Sequence, residues 1–543
     1  MRGLFVRSCC YLFISFSVFL TPACGGGGGG GGGSSAPSLM LESTIPEDNA
    51  DDVALNMPLS ANFNQNVSSA GLSGKITLVS DHGDINTAIS VSGSTVTIQP
   101  SDILSFLTSY TVVIDKSIGA GSSTLGDDVT WSFRTKDRSW SAASEIANSN
   151  VYTNSWAPGP GEDPSICFDP NGNAISTWRQ YSDTGQNVWA AFYDVDLGWE
   201  DAVLIESNPP GNVHRPVIAC DDNSNIYVVW SHNGTIYLNQ YIANIGWKGE
   251  QTLASIAAGS SLPQIAIDNY GKVILTWSNS IGVGITTYSP QTDSDSSEWV
   301  VTPAPDSIYR SKLAIDSFNN SLVIWTEDDG SGNDLLWGSR KQNGSGWETP
   351  SQLSVDAVSV YEMNLVVNSQ GDALVTWGQW NGSNHSSAYN QYTVGVGWGA
   401  PQQSPVGNHS DLAIDKSDNV IAVSNGFSGY KFSFDSGWAS IGRPEGGFIP
   451  YYDDAQVAFD DNGNAIAVAA AFDSGVTSFI AVRYIPSEGW LAPVVIEESE
   501  LEGNSEMQIA FDSEGRALTV WMQDKGNYIG TASVYSVRSS RLE

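Results

Sequence analysis

IAIDNYGKVILTW, residues 265–277, is the stretch that decides the fold of most of this chain. It consists of a short apolar run, an Asp, a turn and a second apolar run that ends on Trp. Versions of this pattern occur eight times between Ile166 and Trp521, at separations of 45 to 52 residues. The anchor residues of repeats 1 to 8 are Asp169, Asp221, Asp268, Asp316, Asn368, Asp415, Asp460 and Asp512. A period of roughly 50 residues in a strand-rich chain is typical of a β-propeller, whose blades are four-stranded sheets.

A second Trp-containing pattern indicates how the repeats are assembled. It follows each of the first seven anchors, at Trp199, Trp247, Trp299, Trp347, Trp398, Trp438 and Trp490, and no copy follows the eighth. One copy instead precedes all the repeats, at residues 139–146. In a propeller an N-terminal strand can complete the final blade, so that no sheet edge stays open. We therefore expect an all-β protein in which residues 137–543 form an eight-bladed β-propeller closed by an N-terminal strand.

The positions around each anchor predict the strands of one blade, named A to D in chain order. The residue two before the anchor is small in nearly every repeat, as at Ala266 and Ala510, which suits a crowded innermost strand A. The anchor side chain begins the turn from strand A to strand B and can cap backbone amides there as an Asx-turn. Trp stands nine residues after the anchor in six repeats. We therefore interpret most of the 19 Trp as blade packing.

The charge of the chain excludes one class of partner. The formal net charge is −36, from 59 Asp plus Glu against 23 Lys plus Arg. Such a surface repels phosphate backbones, so we expect no nucleic-acid binding. It is typical of a soluble extracellular protein, and it leaves open whether the surface collects divalent cations.

The two cysteines of the repeat region are not expected to pair. Cys167 lies two residues before its anchor, whereas Cys220 lies one residue before its own. Side chains one step apart on equivalent strands point to opposite faces. We therefore expect two small buried apolar side chains rather than a disulfide, and we find no Cys/His spacing typical of zinc.

The first residues form an export signal rather than part of the fold. A basic start precedes a short apolar run at residues 11–20, and TPAC follows at residues 21–24. This ending resembles a bacterial lipoprotein signal, although Thr21 and Pro22 depart from the usual pattern. The resemblance implies removal of residues 1–23, lipidation of Cys24 and sorting to the outer membrane. Residues 24–36, with nine consecutive glycines, then form a flexible tether.

Residues 37–136 lack the repeat and are predicted to be a β-sandwich. Short alternating strands are broken by Gly, Asn and Ser, as expected for a domain of about 100 residues. The phrases PEDN at 46–49, YTV at 110–112 and WSFRT at 131–135 resemble the SbsA-type bacterial Ig-like domain. The resemblance implies that this domain is a spacer.

The turns at the anchors loosely resemble the Asp-box of sialidase-like propellers. In that motif, Ser-x-Asp-x-Gly-x-Thr-Trp, the residue two before Asp is Ser, whereas here it is mostly Ala and the Trp comes later. The arginines of the propeller fall in no common register of the kind that a sialic acid carboxylate requires. A sialidase-like propeller glycosidase therefore stays an alternative to a non-catalytic protein, and we assign no catalytic residue.

Two anchor turns could bind calcium. DPNGN at 169–173 and DDNGN at 460–464 place oxygen ligands at alternate positions. The candidate ligands are Asp169, Asn171, Asn173, Asp460, Asn462 and Asn464. Both turns lack the bidentate Glu of a full calcium loop, so a purely structural Asx-turn is the competing interpretation. No other cofactor is indicated.

The predicted B–C loops are the best candidates for ligand contact. Residues 327–334 and 380–385 form the most polar and irregular of these loops, although solvated loops would look the same. Side chains there, and tryptophans outside the repeat pattern, are candidate contacts for a glycan or a peptide. These residues are Trp156, Trp189, Trp380, Glu327 and Asp334.

Together these features predict a surface lipoprotein of the bacterial outer membrane. Its expected partners are the membrane, through Cys24, and a carbohydrate or a surface protein. The role that fits best is a non-catalytic binding or adhesion module. The alternatives are the glycosidase and an assembly scaffold within the envelope.

Overall fold

The computed structural model describes residues 38–80, 83–121, 123–146, 151–153, 164–182, 185–207, 213–255, 262–279, 282–301, 308–355, 359–408, 410–445, 455–473, 476–499, 507–529 and 532–542. The predicted export signal, Cys24 and the predicted glycine tether lie outside these residues. The chain divides into two compact units, Met1–Arg138 and Ser139–Glu543. Among the described residues no helix has the length and apolar character to span a bilayer.

The first unit is an Ig-like β-sandwich. One sheet contains, in order, Leu41–Ile45, Leu59–Phe63, Thr95–Pro100 and Thr87–Ser92. The other contains Ala50–Val53, Val129–Thr135, Ser109–Ile114, Ile76–Ser80 and Gly83–Ile85, and a small hairpin joins Gly119–Ala120 to Ser123–Thr124. Alternate residues of these strands, such as Phe63, Leu78 and Trp131, are buried in one hydrophobic core. This alternation is the pattern that predicted the sandwich.

The second unit is propeller-like, because most repeats form a separate antiparallel sheet with strands in the order A, B, C, D. Repeats 2, 3, 4 and 6 are four-stranded. Repeat 2 consists of Val217–Cys220, Ile226–His232, Thr235–Ile242 and Gly246–Ser255, and repeat 3 consists of Gln264–Ile267, Val273–Asn279, Gly282–Ser289 and Ser294–Val301. Repeat 4 consists of Ile308–Ile315, Ser321–Asp328, Asp334–Lys341 and Ser351–Gln352, and repeat 6 consists of Asp411–Ile414, Val420–Ser424, Ser428–Ser433 and Gly437–Gly442. Repeats 5 and 7 are five-stranded. Repeat 5 consists of Ser359–Val367, Ala373–Trp380, His385–Thr393, Gly397–Trp398 and Gln402–Gln403. Repeat 7 consists of Gln456–Phe459, Ala465–Asp473, Val476–Ile485, Gly489–Trp490 and Val494–Ser499. A 3-10 turn, Asn425–Phe427, joins two strands of repeat 6.

Repeats 1 and 8 share one ten-stranded sheet. Repeat 1 contributes Ser165–Phe168, Ala174–Ser182, Gly185–Asp194, Gly198–Trp199 and Val203–Leu204, and repeat 8 contributes Met507–Phe511, Ala517–Ile529 and Ala532–Leu542. Val151–Thr153 pairs with a strand of each repeat and joins them. Ser144–Glu145 pairs antiparallel with Ala532–Leu542, and Trp140 forms a bridge with Leu542. Residues 139–146 therefore lie along the last strand of repeat 8.

The innermost strands lie next to one another in chain order. Each strand A contacts strand A of the following repeat, and strand A of repeat 8 contacts that of repeat 1. Most of their residues are only half-buried although they lie at the centre of the unit, as in Ser165–Phe168 and Gln264–Ile267. They therefore border a solvent-accessible space, which we call the central channel.

Blade packing uses the tryptophans that end the second apolar run of each pattern. Trp178, Trp230, Trp325, Trp377 and Trp521 are among the largest fully buried side chains. Each lies in a hydrophobic cluster that includes residues of a neighbouring repeat, for example Trp230 with Ile175 and Val188. Because a buried aromatic ring removes 150–250 Å² from water, these residues dominate the packing between sheets.

One expectation is wrong: Cys167 and Cys220 form a disulfide, with their Cα atoms 5.9 Å apart. They lie on the innermost strands of repeats 1 and 2, which contact each other. Neighbouring blades present opposite faces of equivalent strands to one another. Positions one register step apart are therefore the positions that meet across the gap. Side chains on opposite faces cannot pair within one sheet, but they can pair when they lie on two neighbouring sheets that face each other.

Candidate functional site

Of the predicted contact residues, Trp189 has a packing role and Trp156 lies outside the described residues. Trp189 is half-buried in strand C of repeat 1, where it pairs with Trp178 and Leu204. It packs against a cluster that includes Ile146 of the N-terminal strand. It therefore joins repeat 1 to its neighbour and is no open platform.

Trp380 and His385 form an aromatic pair at the B–C end of repeat 5. Their ring centroids lie 4.6 Å apart, and they are the last residue of strand B and the first of strand C. The loop between them is ordered by Asn381, whose side-chain oxygen accepts the backbone N–H groups of Ser383 and Asn384 at 3.0 and 2.8 Å. His385 is exposed and Trp380 is half-buried. The loop therefore presents an accessible aromatic surface.

Tyr361 of strand A joins this pair. Its hydroxyl lies 2.7 Å from Nδ1 of His385. The strand carries a β-bulge between Tyr361 and Asn364, where Glu362 adopts a left-handed backbone with φ of 52°. A Cβ at Gly378, opposite Tyr361, would lie 2.4 Å from the tyrosine ring, so only glycine makes room for it. Bulges and strained residues of this kind commonly orient a side chain at functional sites.

Asp334 approaches the same group from repeat 4. Its Oδ2 accepts a hydrogen bond from Ser359 Oγ at 3.3 Å, and Ser359 pairs with Trp380 across the strands of repeat 5. Burial raises the pKa of Asp334, and Asp328 raises it further, against the opposing charge of Arg310. Two of the predicted residues, Asp334 and Trp380, thus meet at one serine. We call Asp334, Ser359, Tyr361, Trp380 and His385 the aromatic cluster.

Glu327 lies in strand B of repeat 4, one residue before Asp328, which pairs with Asp334. It is half-buried, pairs with Leu335 across the strands and accepts a hydrogen bond from Trp325 Nε1 at 3.3 Å. Its carboxylate therefore supports the buried indole. Ser359 and Tyr361 cannot be recognised from the sequence, because the repeat pattern carries no signal for the bulge beside which they lie.

The candidate calcium turns have their oxygens occupied by N–H donors. Asp169 Oδ1 accepts the backbone N–H groups of Asn171 and Asn173 at 2.9 Å, and Oδ2 accepts both of their side-chain amides at 3.3 Å. Asp460 accepts the equivalent backbone groups of Asn462 and Asn464. Within the described ranges no group of three or more acidic, His or Cys side chains could hold a metal. The geometry favours the structural interpretation of these turns.

All eight anchors share this geometry, which confirms the predicted Asx-turn. Each anchor side chain accepts the backbone N–H groups two and four residues later, at 2.8 to 3.0 Å. A cavity of about 600 Å³ lies between two of these turns, lined by Asp169, Asp194 and Asp222 among others. It is acidic and lies away from the aromatic cluster.

A buried acid and a buried histidine lie close together between repeats 1 and 2. Oε2 of Glu206 is 3.6 Å from Nδ1 of His232, and neither of these atoms has a hydrogen-bond partner among the described residues. Burial raises the pKa of Glu206 to about 7, whereas burial lowers the pKa of His232. Glu206 is therefore mostly protonated below pH 7, and burial favours the neutral form of His232.

This pair makes stability depend on pH. A carboxyl whose folded pKa is about 7, against an ordinary value of 4.5, contributes stability that is full below pH 4.5 and lost as pH rises through 7. Between pH 5 and pH 8 we therefore expect the free energy of unfolding to fall by about 1–3 kcal/mol less in Glu206→Gln than in wild type. The lowered pKa of His232 acts in the opposite direction, and the difference between the two proteins measures Glu206 together with its effect on this adjacent imidazole.

Urea unfolding at pH 5, 6, 7 and 8 measures this difference. The matched control is Glu498→Gln, because Glu498 is exposed. Parallel pH profiles for wild type and Glu206→Gln would show that Glu206 does not titrate in this range.

The two units have different counterparts among known proteins. Residues 34–135 match the family described as Bacterial Ig-like domain. No curated protein matches the chain. Matching solved structures include the Dos1 propeller, with a TM-score of 0.44, 10% identity and coverage of 71% of this chain and 94% of that one. A second is an auxiliary nutrient binding protein from Bacteroides ovatus, with a TM-score of 0.37, 11% identity and coverage of 93% of this chain and 99% of that one. A third is an ulvan lyase bound to a saccharide, with a TM-score of 0.37, 12% identity and coverage of 59% of this chain and 90% of that one.

Proposed function

We propose that this chain is a surface lipoprotein whose propeller is a non-catalytic binding module for carbohydrate or protein. The observation that carries the proposal is the aromatic cluster, in which accessible rings lie beside a hydroxyl, an imidazole and a carboxyl group. Aromatic rings with a few convergent polar groups are the usual lining of binding sites. Trp380 supplies the apolar surface for a ligand, and the polar groups of Tyr361, His385 and Asp334 fix the orientation of that ligand.

We propose further that the propeller has eight blades and is closed by residues 139–146. Three observations support this proposal: the eight copies of the anchor pattern, the pairing of Ser144–Glu145 with Ala532–Leu542, and the contact between the first and last strands A. The merged sheet of repeats 1 and 8 is then two blades linked by Val151–Thr153. Closure of this kind leaves no unpaired edge between the chain ends.

The anchoring of the protein is proposed from the lipoprotein signal. Cys24 would carry the lipid and hold the propeller at the outer membrane through the glycine tether, exposed at the cell surface. The disulfide between Cys167 and Cys220 supports export, because such bonds persist in oxidising compartments. No nucleic-acid partner is proposed for so acidic a chain.

Cys24→Ser tests this anchoring. Because stable anchoring requires the acyl chains, we expect the variant to leave the membrane fraction and lose fatty-acid labelling. Membrane retention of the variant would contradict lipidation at Cys24. Protease treatment of intact cells separates a surface module, which is cleaved, from an envelope scaffold, which is protected.

Trp380→Ala tests the binding function. An array of glycans and bacterial surface proteins is probed with the purified full-length chain. We expect the variant to bind the ligands of wild type at least tenfold more weakly, since a buried aromatic contact contributes about 1.5–3 kcal/mol. The matched control is Tyr270→Ala, which removes an exposed aromatic ring (64% accessible) at an anchor turn. Equal binding by wild type and Trp380→Ala would contradict the proposed site.

The glycosidase remains a second candidate because of one observation. Burial raises the pKa of Asp334, as a general acid requires, although Glu327 faces the other side of the sheet because it pairs with Leu335, one step from the Asp328–Asp334 pair. Hydrolysis of sialosides and polysaccharides by the wild-type chain, lost in Asp334→Ala and Glu327→Ala, would favour catalysis. Absence of turnover with intact ligand binding favours the non-catalytic module.

A further inference from the structure

Basic side chains converge on the innermost strands of the propeller. Arg310 and Lys312 lie on strand A of repeat 4, and Arg215 lies two residues before strand A of repeat 2. Arg215 and Arg310 stand six residues before their anchors, which corrects the expectation that no arginines share a register. With only 23 Lys plus Arg in a chain of net charge −36, three cations beside one channel are a local exception to the surface charge.

Two of these cations, Arg310 and Lys312, differ from the propeller arginines that form ion pairs. Arg340 pairs with Asp316 at 3.0 Å, and Arg516 and Arg538 each pair with a carboxylate at 2.5 Å. In the part of the chain that the structure describes, no carboxylate lies within ion-pair distance of Arg310 or Lys312. Arg310 is exposed, and it shares a strand face with Lys312 because the two are two residues apart.

The electrostatics of Lys312 show that these charges act on one another. Burial lowers the pKa of Lys312, and repulsion from Arg215 and then Arg310 lowers it further, while Asp411 opposes the shift. Asp411 lies on strand A of repeat 6, and its Oδ2 accepts the backbone N–H of Val457 at 3.0 Å. Groups from repeats 2, 4 and 6 thus surround one channel. An anion placed there would relieve the repulsion among the three cations.

The cations are continuous with the aromatic cluster. Arg310 is close enough to Asp334 to oppose the rise in the pKa of that carboxyl, and Asp334 bonds to Ser359. A ligand whose ring lies on Trp380 can therefore direct a charged substituent toward Arg310. Asp328 and Asp329 act on Asp334 in the opposite sense to Arg310, because both raise the pKa of that carboxyl.

We propose that Arg310, Lys312 and Arg215 bind the negatively charged substituent, carboxylate or sulfate, of an acidic oligosaccharide held by the aromatic cluster. The inference rests on the proposed function and narrows its ligand class. The guanidinium of Arg310 has the planar donors that recognise such oxyanions in two-point contact. The overall charge of −36 does not prevent this, since at physiological salt its field is screened beyond about 8 Å.

Calorimetric titration of the full-length chain tests the inference. The probes are a galacturonate oligosaccharide, a sulfated galactan oligosaccharide and a neutral galactan oligosaccharide of equal length. We expect one acidic probe to bind at least tenfold more tightly than the neutral one, and the comparison of the two acidic probes distinguishes carboxylate from sulfate. We also expect this preference to weaken severalfold in 0.5 M salt.

Arg310→Ala should abolish the preference of the chain for the acidic probe over the neutral one. The matched control is Arg443→Ala, which removes another exposed arginine, one that bonds only to Ser428 Oγ among the described residues and follows strand D rather than entering strand A. Because Lys312 is crowded, Lys312→Gln is a second variant whose folding is checked by its melting curve.

The outcomes separate the inference from the proposed function. Equal binding of acidic and neutral probes, or equal effects of Arg310→Ala and Arg443→Ala, would overturn the acidic ligand while the binding module stands. Absence of binding to all three probes would overturn the inference, and the wider array with Trp380→Ala would then decide the proposed function.

Discussion

Replacing residues 139–146 with a Gly/Ser segment of equal length should destabilise the propeller by about 5 kcal/mol, from lost backbone hydrogen bonds and apolar burial. The strand donates from Ser141 N to Arg541 O at 2.7 Å and from Ile146 N to Val537 O at 2.9 Å. It also buries Ile146, which is 4% exposed, between repeats 1 and 8. The replacement leaves the last strand, Ala532–Leu542, as an open edge.

Urea unfolding and light scattering measure the effect as a lower midpoint and as aggregation. A synthetic peptide with the sequence of residues 139–146 should restore part of the midpoint at millimolar concentration, whereas a scrambled peptide should not. The peptide distinguishes loss of this particular strand from general damage. An unchanged unfolding curve after the replacement would refute closure by the N-terminal strand.

Removing the disulfide is expected to have the next largest effect. Cys167 and Cys220 are 53 residues apart, and a cross-link over a loop of this size typically contributes about 2–4 kcal/mol. The double variant Cys167→Ala and Cys220→Ala should therefore unfold at lower urea than wild type. The two side chains also pack in the cluster between repeats 1 and 2, so part of the loss comes from packing.

Reducing agent provides the control for this prediction. It should lower the midpoint of wild type and leave that of the double variant unchanged. Alkylation followed by mass spectrometry should find both thiols protected in the oxidised chain. Free thiols at both positions, or insensitivity of wild type to reduction, would contradict the bond between the blades.

The repeat pattern was sufficient to predict the strands, because it marks both ends of the A–B hairpin. The anchor at Asp268 predicted the Asx-turn, and Trp277 predicted a buried ring at the end of strand B. These features depend on residues close together in sequence. For this reason the sequence alone predicts them.

Features that depend on contacts between blades were harder to predict. The disulfide at Cys167 was excluded by an argument that holds within one sheet and reverses between two. The position of Tyr361 depends on a bulge and on the missing side chain of Gly378, and neither belongs to the repeat. Trp189 looked available for a ligand because its repeat position is irregular, yet it packs against the strand that precedes repeat 1.

Closure is the claim on which the rest depends, because it brings strands from repeats 2, 4 and 6 around one channel. Hydrogen exchange at the amides of Ser141 and Ile146 tests it most directly. We expect both amides to exchange as slowly as those of the buried residues 517–522, since opening them requires opening the ring. Exchange at the rate of an unstructured peptide, in a chain whose other strands stay protected, would contradict the closed propeller.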